Sequence, residues 1–137
     1  MNIASKLDLL RKDGHRITRV RQKLLEIFTQ EQLPLSVKEL ISQLKQGRIE
    51  VNKTTVYREL EFLLKQKFVS VVDLSDGAKR FESSDSDHHH HLICDNCGSI
   101  EDMPLNDHLL ERELIGKTKF KVQRHALEFF GFCADCQ

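Results

Sequence analysis

Four cysteines carry the clearest chemical signal in this sequence. They form two C-x-x-C pairs, Cys94 with Cys97 and Cys133 with Cys136, with 35 residues between the pairs. Each pair offers two thiolates to one tetrahedral ion, so the spacing predicts a zinc site with all four positions filled and a structural role. Two disulfides or a redox pair are the alternative, which a cytosolic location disfavours. The zinc would hold the end of the chain against the strand that contains Cys94.

The four consecutive histidines His88–His91 are a second group of candidate metal ligands. Side chains alternate along a strand, so His89 and His91 share one face and His88 and His90 share the other. One strand could therefore supply two metal sites. The other candidate ligands are Glu82, Asp102, His108 and His125. Imidazole mixed with carboxylate suits zinc, iron, manganese or nickel. The alternative is a solvated polar strand without a metal.

A third group of residues could bind DNA. The segment from Lys53 to Arg58 opens a predicted helix with a base, two hydroxyls, an aromatic ring and an arginine. Hydroxyls and helix N–H groups suit phosphates, and Tyr57 and Arg58 could reach base edges in a major groove. Polar helix starts are common, but a helix-turn-helix position favours DNA binding here. The candidate DNA contacts are Arg16, Arg19, Arg21, Lys53, Thr54, Thr55, Tyr57 and Arg58.

The elements that position these residues divide the sequence in two. Residues 1–67 contain four stretches of helical periodicity, the later three with the predicted caps Thr18, Ser36 and Asn52. Glu39 completes a capping box with Ser36. Strands are predicted at 68–74 and 78–82, joined by a turn at 75–77. Four helices followed by a hairpin make a winged-helix plan, with the fourth helix placed to read DNA.

The second half has a different pattern. The small polar segment 83–87 predicts a hinge between domains at 1–82 and 88–137. Beyond it, strands are predicted at 88–94, 99–103 and 119–130, and a helix from Pro104 to Ile115. The fold class is therefore α+β, a winged-helix DNA-binding domain followed by an α/β domain with the four-cysteine zinc site.

Composition restricts the possible functions. The 137 residues suit one or two small domains, and no run of 18 apolar residues is present. The sequence starts without the apolar block of a signal peptide, so a cytoplasmic protein is expected. Residues 1–82 hold 16 Lys and Arg against 11 Asp and Glu, whereas residues 83–137 hold 5 against 10. The basic first half favours a polyanionic partner there.

The motifs, taken in order, closely resemble the ferric uptake regulator family of bacterial metal-dependent repressors. The matching segments are 14–18, 54–58, 88–98 and 125–131, followed by Cys133 and Cys136. The resemblance implies a winged-helix DNA-binding domain, a hinge and an α/β dimerisation domain. It also implies a homodimer, or a tetramer, on double-stranded DNA carrying an AT-rich palindromic operator.

The resemblance also implies metal sites. It places structural Zn²⁺ on Cys94, Cys97, Cys133 and Cys136. It places the regulatory metal on Glu82, His89, His91 and Asp102, and a further ion on His88, His90, His108 and His125. On the DNA side it places Tyr57 and Arg58 in the groove and Arg16 near the minor groove.

The sequence departs from the family at one expected ligand. The family usually has a histidine just before the third helix, where this chain has Pro34. A metal-made link between the domains is therefore expected to be weaker, unless Glu31, Gln32 or His15 takes the place of that histidine. The hinge lacks the cysteine common in zinc sensors, and Glu82 favours iron sensors over peroxide sensors. Fe²⁺ is the favoured regulatory metal, with Zn²⁺ and Mn²⁺ as alternatives.

The favoured function is a metal-responsive repressor of metal-uptake or metal-homeostasis genes, with no catalytic residues. One alternative is a metalloenzyme such as a hydrolase, which would need an open metal position and a general base such as Glu101 or Glu128. A zinc-stapled interaction module without DNA binding is another. Peroxide-, manganese- and zinc-sensing members of the same family are further alternatives.

Overall fold

The computed structural model describes residues 1–73, 77–85, 89–123, 125 and 127–137. The chain divides into two compact units, Met1–Ser86 and Asp87–Gln137. Each unit combines helix with a three-stranded sheet, so the predicted α+β class is confirmed. Within the described ranges, no helix has both the length and the apolar character needed to cross a membrane.

Four capped helices make up most of the amino-terminal unit. They are α1 (Ile3–Lys12), α2 (Arg19–Gln30), α3 (Val37–Gln46) and α4 (Lys53–Lys65), capped by Asn2, Thr18, Ser36 and Asn52. Each cap accepts a hydrogen bond from a first-turn N–H group that has no partner within the helix. At α3 the capping box is complete, because the N–H of Ser36 also donates to Oε2 of Glu39 at 2.7 Å. The three predicted caps are confirmed.

A small antiparallel sheet completes this unit. Its strands are β1 (Leu35–Ser36), β2 (Val69–Asp73) and β3 (Lys79–Ser83), in the order β1-β3-β2. Phe81 in the central strand lies opposite Leu35 on one side and Val71 on the other. The predicted turn falls mostly on residues 74–76, which lie outside the described residues. Because β3 runs to Ser83 and residues 86–88 are also outside them, the hinge over 83–87 stays a prediction.

The apolar faces of the four helices and of this sheet share one core. It runs from Leu7 in α1 to Phe81 in β3. Helix α4 contributes Val56, Leu60 and Leu63, all at most 1% exposed. Since the spacing of these residues buries one face of α4, the opposite face remains at the surface. The start of α4 is thus exposed to solvent, on a helix whose opposite face packs in the core.

A buried lysine forms an ion pair near the end of the amino-terminal unit. The Lys6 side chain is 1% exposed, and its Nζ lies 2.7 Å from Oδ2 of Asp85, near the end of the unit. It also lies 5.8 Å from the centre of the Phe68 ring. Desolvation acts to raise the pKa of Asp85, but the hydrogen bond and charge of Lys6, with the amino-terminal ammonium, hold that pKa below its ordinary value. The pair therefore ties the first helix to the residues that follow β3.

We expect Asp85→Asn to destabilise the amino-terminal unit at neutral pH, because it leaves the Lys6 charge buried without a counter-ion. The loss should be about 1–3 kcal/mol, less than for a wholly buried pair since Asp85 is partly exposed. The folded-state pKa is depressed, so the carboxylate contributes stability above its ordinary pKa of 3.8 and loses it as the pH falls through the lower folded value.

Denaturant unfolding followed between pH 7 and pH 2 measures both effects. Asp85→Asn should lack the portion of the acid dependence that belongs to this carboxylate. Lys6→Met, which removes the buried charge and keeps most of the volume, serves as the comparison and should be tolerated better at pH 7. Equal stability of wild type and Asp85→Asn across this range would contradict a stabilising role for the pair.

The carboxy-terminal unit is built around one central strand. Its elements are β4 (His90–Cys94), β5 (Ile100–Met103), α5 (His108–Lys117), β6 (Glu128–Gly131) and a 3-10 turn over Ala134–Cys136. The sheet order is β5-β4-β6, with β5 antiparallel and β6 parallel to β4. The parallel pair sets Cys94 opposite Gly131, two residues before Cys133.

Two sequence predictions are wrong in this unit. The helix was expected from Pro104, but α5 begins at His108, after a turn in which the Asn106 side chain accepts a hydrogen bond from the His108 N–H at 3.1 Å. The long strand predicted at 119–130 is β6 alone in the described residues. Phe120 is 75% exposed, and apolar alternation does not make a strand where no neighbouring strand, among the described residues of this chain, supplies hydrogen bonds.

The two units differ in what they bury. In the part of the chain that the structure describes, every residue of the hydrophobic core cluster belongs to the amino-terminal unit. In the carboxy-terminal unit, the buried residues among those described are His90, His91, Cys94 and Asp107. All four are types that bind metal ions. Among the described residues, the fully buried positions of this unit are therefore candidate ligands, and aliphatic side chains such as Leu92 and Ile93 are half-buried.

Candidate metal centres and nucleic-acid interface

The four cysteines come together at one end of the β4–β6 pair. Their sulphur atoms all lie within 4.8 Å of one another, and none is in a disulfide. Sγ of Cys97 lies 3.7 Å from Sγ of Cys133. Four zinc–sulphur bonds of about 2.3 Å in tetrahedral geometry require sulphur atoms about 3.8 Å apart. The thiols present therefore fit a zinc ion, and the disulfide alternative has no support in this geometry.

Hydrogen bonds lower the pKa of two of these thiols. The N–H of Cys133 lies 3.4 Å from Sγ of Cys94, and this contact, with a backbone hydrogen bond at Cys97, lowers the pKa of Cys94 to about 6. Hydrogen bonding with Ser99 lowers the pKa of Cys97. Thiolates are the form that binds metal ions. The hydrogen bonds of Cys133 and Ser99 thus favour the charged form of Cys94 and Cys97 before any ion is considered.

A second cluster lies on one face of β4 and consists of His90, Asp107 and His125. Nε2 of His90 lies 2.8 Å and 2.9 Å from the two Asp107 oxygens, and its Nδ1 lies 3.1 Å from the carbonyl oxygen of Leu127. Nε2 of His125 also contacts Asp107. Both ring nitrogens of His90 therefore face oxygen acceptors. A cation held between Nε2 of His90 and the carboxylate would satisfy this arrangement, as would a ring N–H donated to each acceptor.

His108 was predicted for this further site, and the structure places it elsewhere. Its side chain is 81% exposed at the start of α5, with Nδ1 3.7 Å from a Glu111 oxygen. The residue beside it, Asp107, takes the buried position and contacts both His90 and His125. Sequence analysis missed Asp107 because placing α5 from Pro104 put both neighbours inside a helix. His88, the fourth predicted ligand, lies outside the described residues.

A third cluster lies on the opposite face of β4. His89 directly precedes β4, and its Nε2 lies 3.2 Å from Nε2 of His91, as expected for alternate residues of an extended chain. Asp102, directly opposite His91 in β5, has Oδ1 3.9 Å from His89 and 3.7 Å from His91. Three of the four predicted regulatory ligands are thus gathered in one unit. Glu82 belongs to β3 in the other unit, and its participation stays a prediction.

The proposed DNA-reading face of α4 is exposed as the winged-helix plan requires. Lys53, Thr54, Tyr57 and Arg58 are all exposed, whereas Thr55 is half-buried and its N–H donates to the capping Asn52. Arg16 and Arg19 are also at least partly exposed, before and at the start of α2. These positions are compatible with contacts to phosphates and base edges.

Arg21 differs from the other predicted DNA contacts. Its side chain is 13% exposed, and its guanidinium donates to both carboxylate oxygens of Glu59 at 2.9 Å and 3.1 Å. It also donates to the carbonyl oxygen of Arg16 at 2.7 Å and lies 3.6 Å from the centre of the Phe62 ring. These contacts hold the guanidinium inside the unit, unlike the exposed arginines, and contact between Arg21 and DNA stays a prediction.

A winged-helix unit with an exposed polar reading face, joined to a unit whose buried residues among those described are candidate metal ligands, defines the class of metal-responsive DNA-binding regulators. The ferric uptake regulator family model matches residues 12–130. The chain belongs to this family.

Individual relatives agree with the assignment. The chain is 33% identical over 132 residues to the ferric uptake regulation protein of Legionella pneumophila, covering 93% of this chain and 96% of that one. It is 32% identical over 132 residues to the peroxide operon regulator of Bacillus subtilis, covering 95% and 90%. The structure of the Helicobacter pylori ferric uptake regulator, described as having three functional metal binding sites, matches with a TM-score of 0.85 at 27% identity over 98% of this chain and 91% of that one.

Proposed function

We propose that this chain is a metal-activated transcriptional repressor of metal-uptake or metal-homeostasis genes, with Fe²⁺ as the regulatory metal. The observation that carries the proposal is the placement of two ligand clusters on opposite faces of β4, in the same chain as an exposed reading helix. A bound cation there would supply fixed positive charge that draws imidazole and carboxylate groups together. The protein acts in the cytoplasm and binds an AT-rich palindromic operator.

The metal sites are assigned to the residues that the structure gathers. Structural zinc is held by Cys94, Cys97, Cys133 and Cys136. The regulatory ion is held by His89, His91 and Asp102, with Glu82 as the ligand from the DNA-binding unit. The further ion is held by His90, Asp107 and His125, which replaces the His108 prediction. The three metal sites named for the Helicobacter pylori protein support this count.

Homodimer formation is proposed for the carboxy-terminal unit. Its helix α5 is largely unburied, with Leu109 73%, Leu110 53% and Ile115 76% exposed, and Phe120 follows it at 75%. Exposed apolar surface of this extent is typical of a protein–protein interface. A second copy of this unit covers the surface in a two-fold dimer, which matches a palindromic operator. Sedimentation of the zinc-loaded chain tests whether it is a dimer or a tetramer.

A peroxide sensor is the second candidate, because the Bacillus subtilis peroxide operon regulator is as similar as the iron regulators. The matched relatives are transcription regulators, so the metalloenzyme alternative is not carried further. Operator binding measured with Fe²⁺, Mn²⁺ or Zn²⁺ added to the zinc-loaded protein separates these functions. Iron-specific activation supports the iron repressor, and loss of binding after peroxide treatment of the iron form supports the sensor.

We expect Arg58→Ala to weaken operator binding by about 1–3 kcal/mol, the value of a base-edge contact, with little change in non-specific binding. The operator is a duplex selected from a random library by the wild-type protein, and binding is followed by fluorescence anisotropy. Lys65→Ala, at the other end of α4, removes the same charge and is the matched control. Arg16→Ala should instead weaken both kinds of binding and reduce the salt dependence. An equal loss of operator binding and of non-specific binding in Arg58→Ala would instead indicate that Arg58 contacts phosphate.

A further inference from the structure

Arg21 joins three parts of the DNA-binding unit through one side chain. From α2, its guanidinium donates two hydrogen bonds to Glu59 of α4 and one to the backbone carbonyl of Arg16 in the preceding loop. The ring of Phe62, one turn beyond Glu59, lies 3.6 Å from the guanidinium carbon. A planar guanidinium can make all these contacts together, because its donors form a rigid fork and its face stacks on aromatic rings.

The parts joined are those that the family resemblance places at different grooves of DNA. Tyr57 and Arg58 directly precede Glu59 on α4, and both side chains are exposed. Arg16 is exposed on a loop that begins at Gly14, whose φ of 80° gives the chain a turn that other residues rarely adopt. The hydrogen bond to the Arg16 carbonyl oxygen therefore links this loop directly to the Arg21 side chain, which also binds Glu59 of α4.

We propose that Arg21 is a positioning residue for DNA recognition, fixing the Arg16 loop relative to the reading face of α4 through Glu59 and Phe62. The proposal rests on the proposed DNA-binding function. The pair is well shielded, with Arg21 and Glu59 side chains 13% and 15% exposed, so screening by salt is reduced and the geometry is strongly held. Two groups that must meet different grooves at once need such a fixed separation.

For Glu59→Gln, a positioning role and simple electrostatics predict opposite changes in operator affinity. Glu59→Gln removes a negative charge next to the DNA-binding face, which by charge alone should strengthen DNA binding. As the partner of a positioning residue, Glu59→Gln should instead weaken operator binding roughly ten-fold, a part of the discrimination that one base contact supplies. Glu61→Gln, an exposed glutamate on the same helix, makes the same charge change and should leave binding equal or slightly stronger.

Arg21→Lys separates positioning from direct contact. Lysine keeps the charge, so it would replace arginine at a phosphate contact, but it cannot make the two-pronged bond or the stacking on Phe62. We expect Arg21→Lys and Glu59→Gln to lose operator affinity to a similar extent. The variant that combines Arg21→Lys with Glu59→Gln should lose no more than either single variant. The slope of log K against log salt should match wild type, whereas loss of a phosphate contact would lower its magnitude by about 0.9.

The assay uses zinc-loaded protein with activating metal and the duplex selected by wild type, with the folded fraction of each variant measured by thermal unfolding. Arg21→Met with Glu59→Leu provides a variant without buried charge, which should fold well and still lose affinity because it cannot hold the Arg16 carbonyl. Wild-type affinity in this folded double variant, or in Arg21→Lys, would overturn the proposal. Failure of wild type to select any duplex would instead overturn the proposed function.

Discussion

Cys133→Ser is expected to remove the structural zinc and unfold the carboxy-terminal unit while the amino-terminal unit stays folded. The reason is that the hydrophobic core lies wholly in the amino-terminal unit, whereas His90, His91, Cys94 and Asp107 are what the other unit buries in the described residues. A unit of this size with no fully buried aliphatic side chain among its described residues depends on other stabilisation. Structural zinc in small domains contributes roughly 10–16 kcal/mol of apparent binding free energy, which is available only to the folded state.

Hydrogen exchange and elemental analysis test this expectation together. In Cys133→Ser, zinc per chain should fall towards zero and the amides of β4 and β6 should lose protection, whereas those of α2 and α4 should keep it. Ala134→Ser, which adds the same hydroxyl at the exposed neighbouring position, is the control and should retain zinc. Protected β4 amides in a zinc-free, reduced protein would show that the fold of this unit does not need the ion.

His89→Ala is expected to abolish the gain in operator affinity that the regulatory metal gives, while leaving the cysteine zinc in place. Nε2 of His89 lies 3.2 Å from that of His91, so its removal leaves one imidazole and the Asp102 carboxylate in this unit. A ligand shifts a conformational equilibrium only by its different affinity for the two states. When the site has lost a ligand, the metal's affinity differs little between the two states. Asp102→Asn should act in the same direction with a smaller loss.

The measurement is operator affinity with and without regulatory metal for each variant. His108→Ala is the matched control, because the same residue type is removed at an exposed position outside the clusters. Pro34→His supplies the ligand that the family resemblance expects and should enlarge the metal-dependent gain. Strong metal activation in wild type with no increase in Pro34→His would contradict the expected weak coupling, and metal activation retained in His89→Ala would contradict the assignment of the site.

Much of the fold was predictable because its signals are local. A cap and its helix lie within a few residues, so Thr18, Ser36 and Asn52 could be placed from sequence alone. The meeting of His89 with His91 follows from strand alternation. The four-cysteine cluster was also predicted, since each C-x-x-C pair fixes two ligands locally and a cytosolic protein favours a shared ion.

The parts that were missed depend on contacts between distant residues. Asp107 and His108 are both ordinary metal ligands, and the choice between them is made by where α5 starts and which side chain then points at His90. Arg21 looked like an exposed arginine because Glu59, its partner, is 38 residues away. The 119–130 stretch has strand periodicity, but periodicity cannot show whether a neighbouring strand is present to pair with it.

The parallel pairing of β4 with β6 has a consequence for how fast the chain folds. His91 and its partner Glu128 are 37 positions apart, and a parallel pair cannot start from a tight turn. Closing so long a loop costs chain entropy before any contact repays it, whereas helices α1 to α4 form from neighbours. Refolding should therefore show an early phase for the amino-terminal unit and a later one for β4 and β6. Zinc concentration should change the later rate alone, because thiolates at 94–97 and 133–136 gather around the ion at the end of this strand pair.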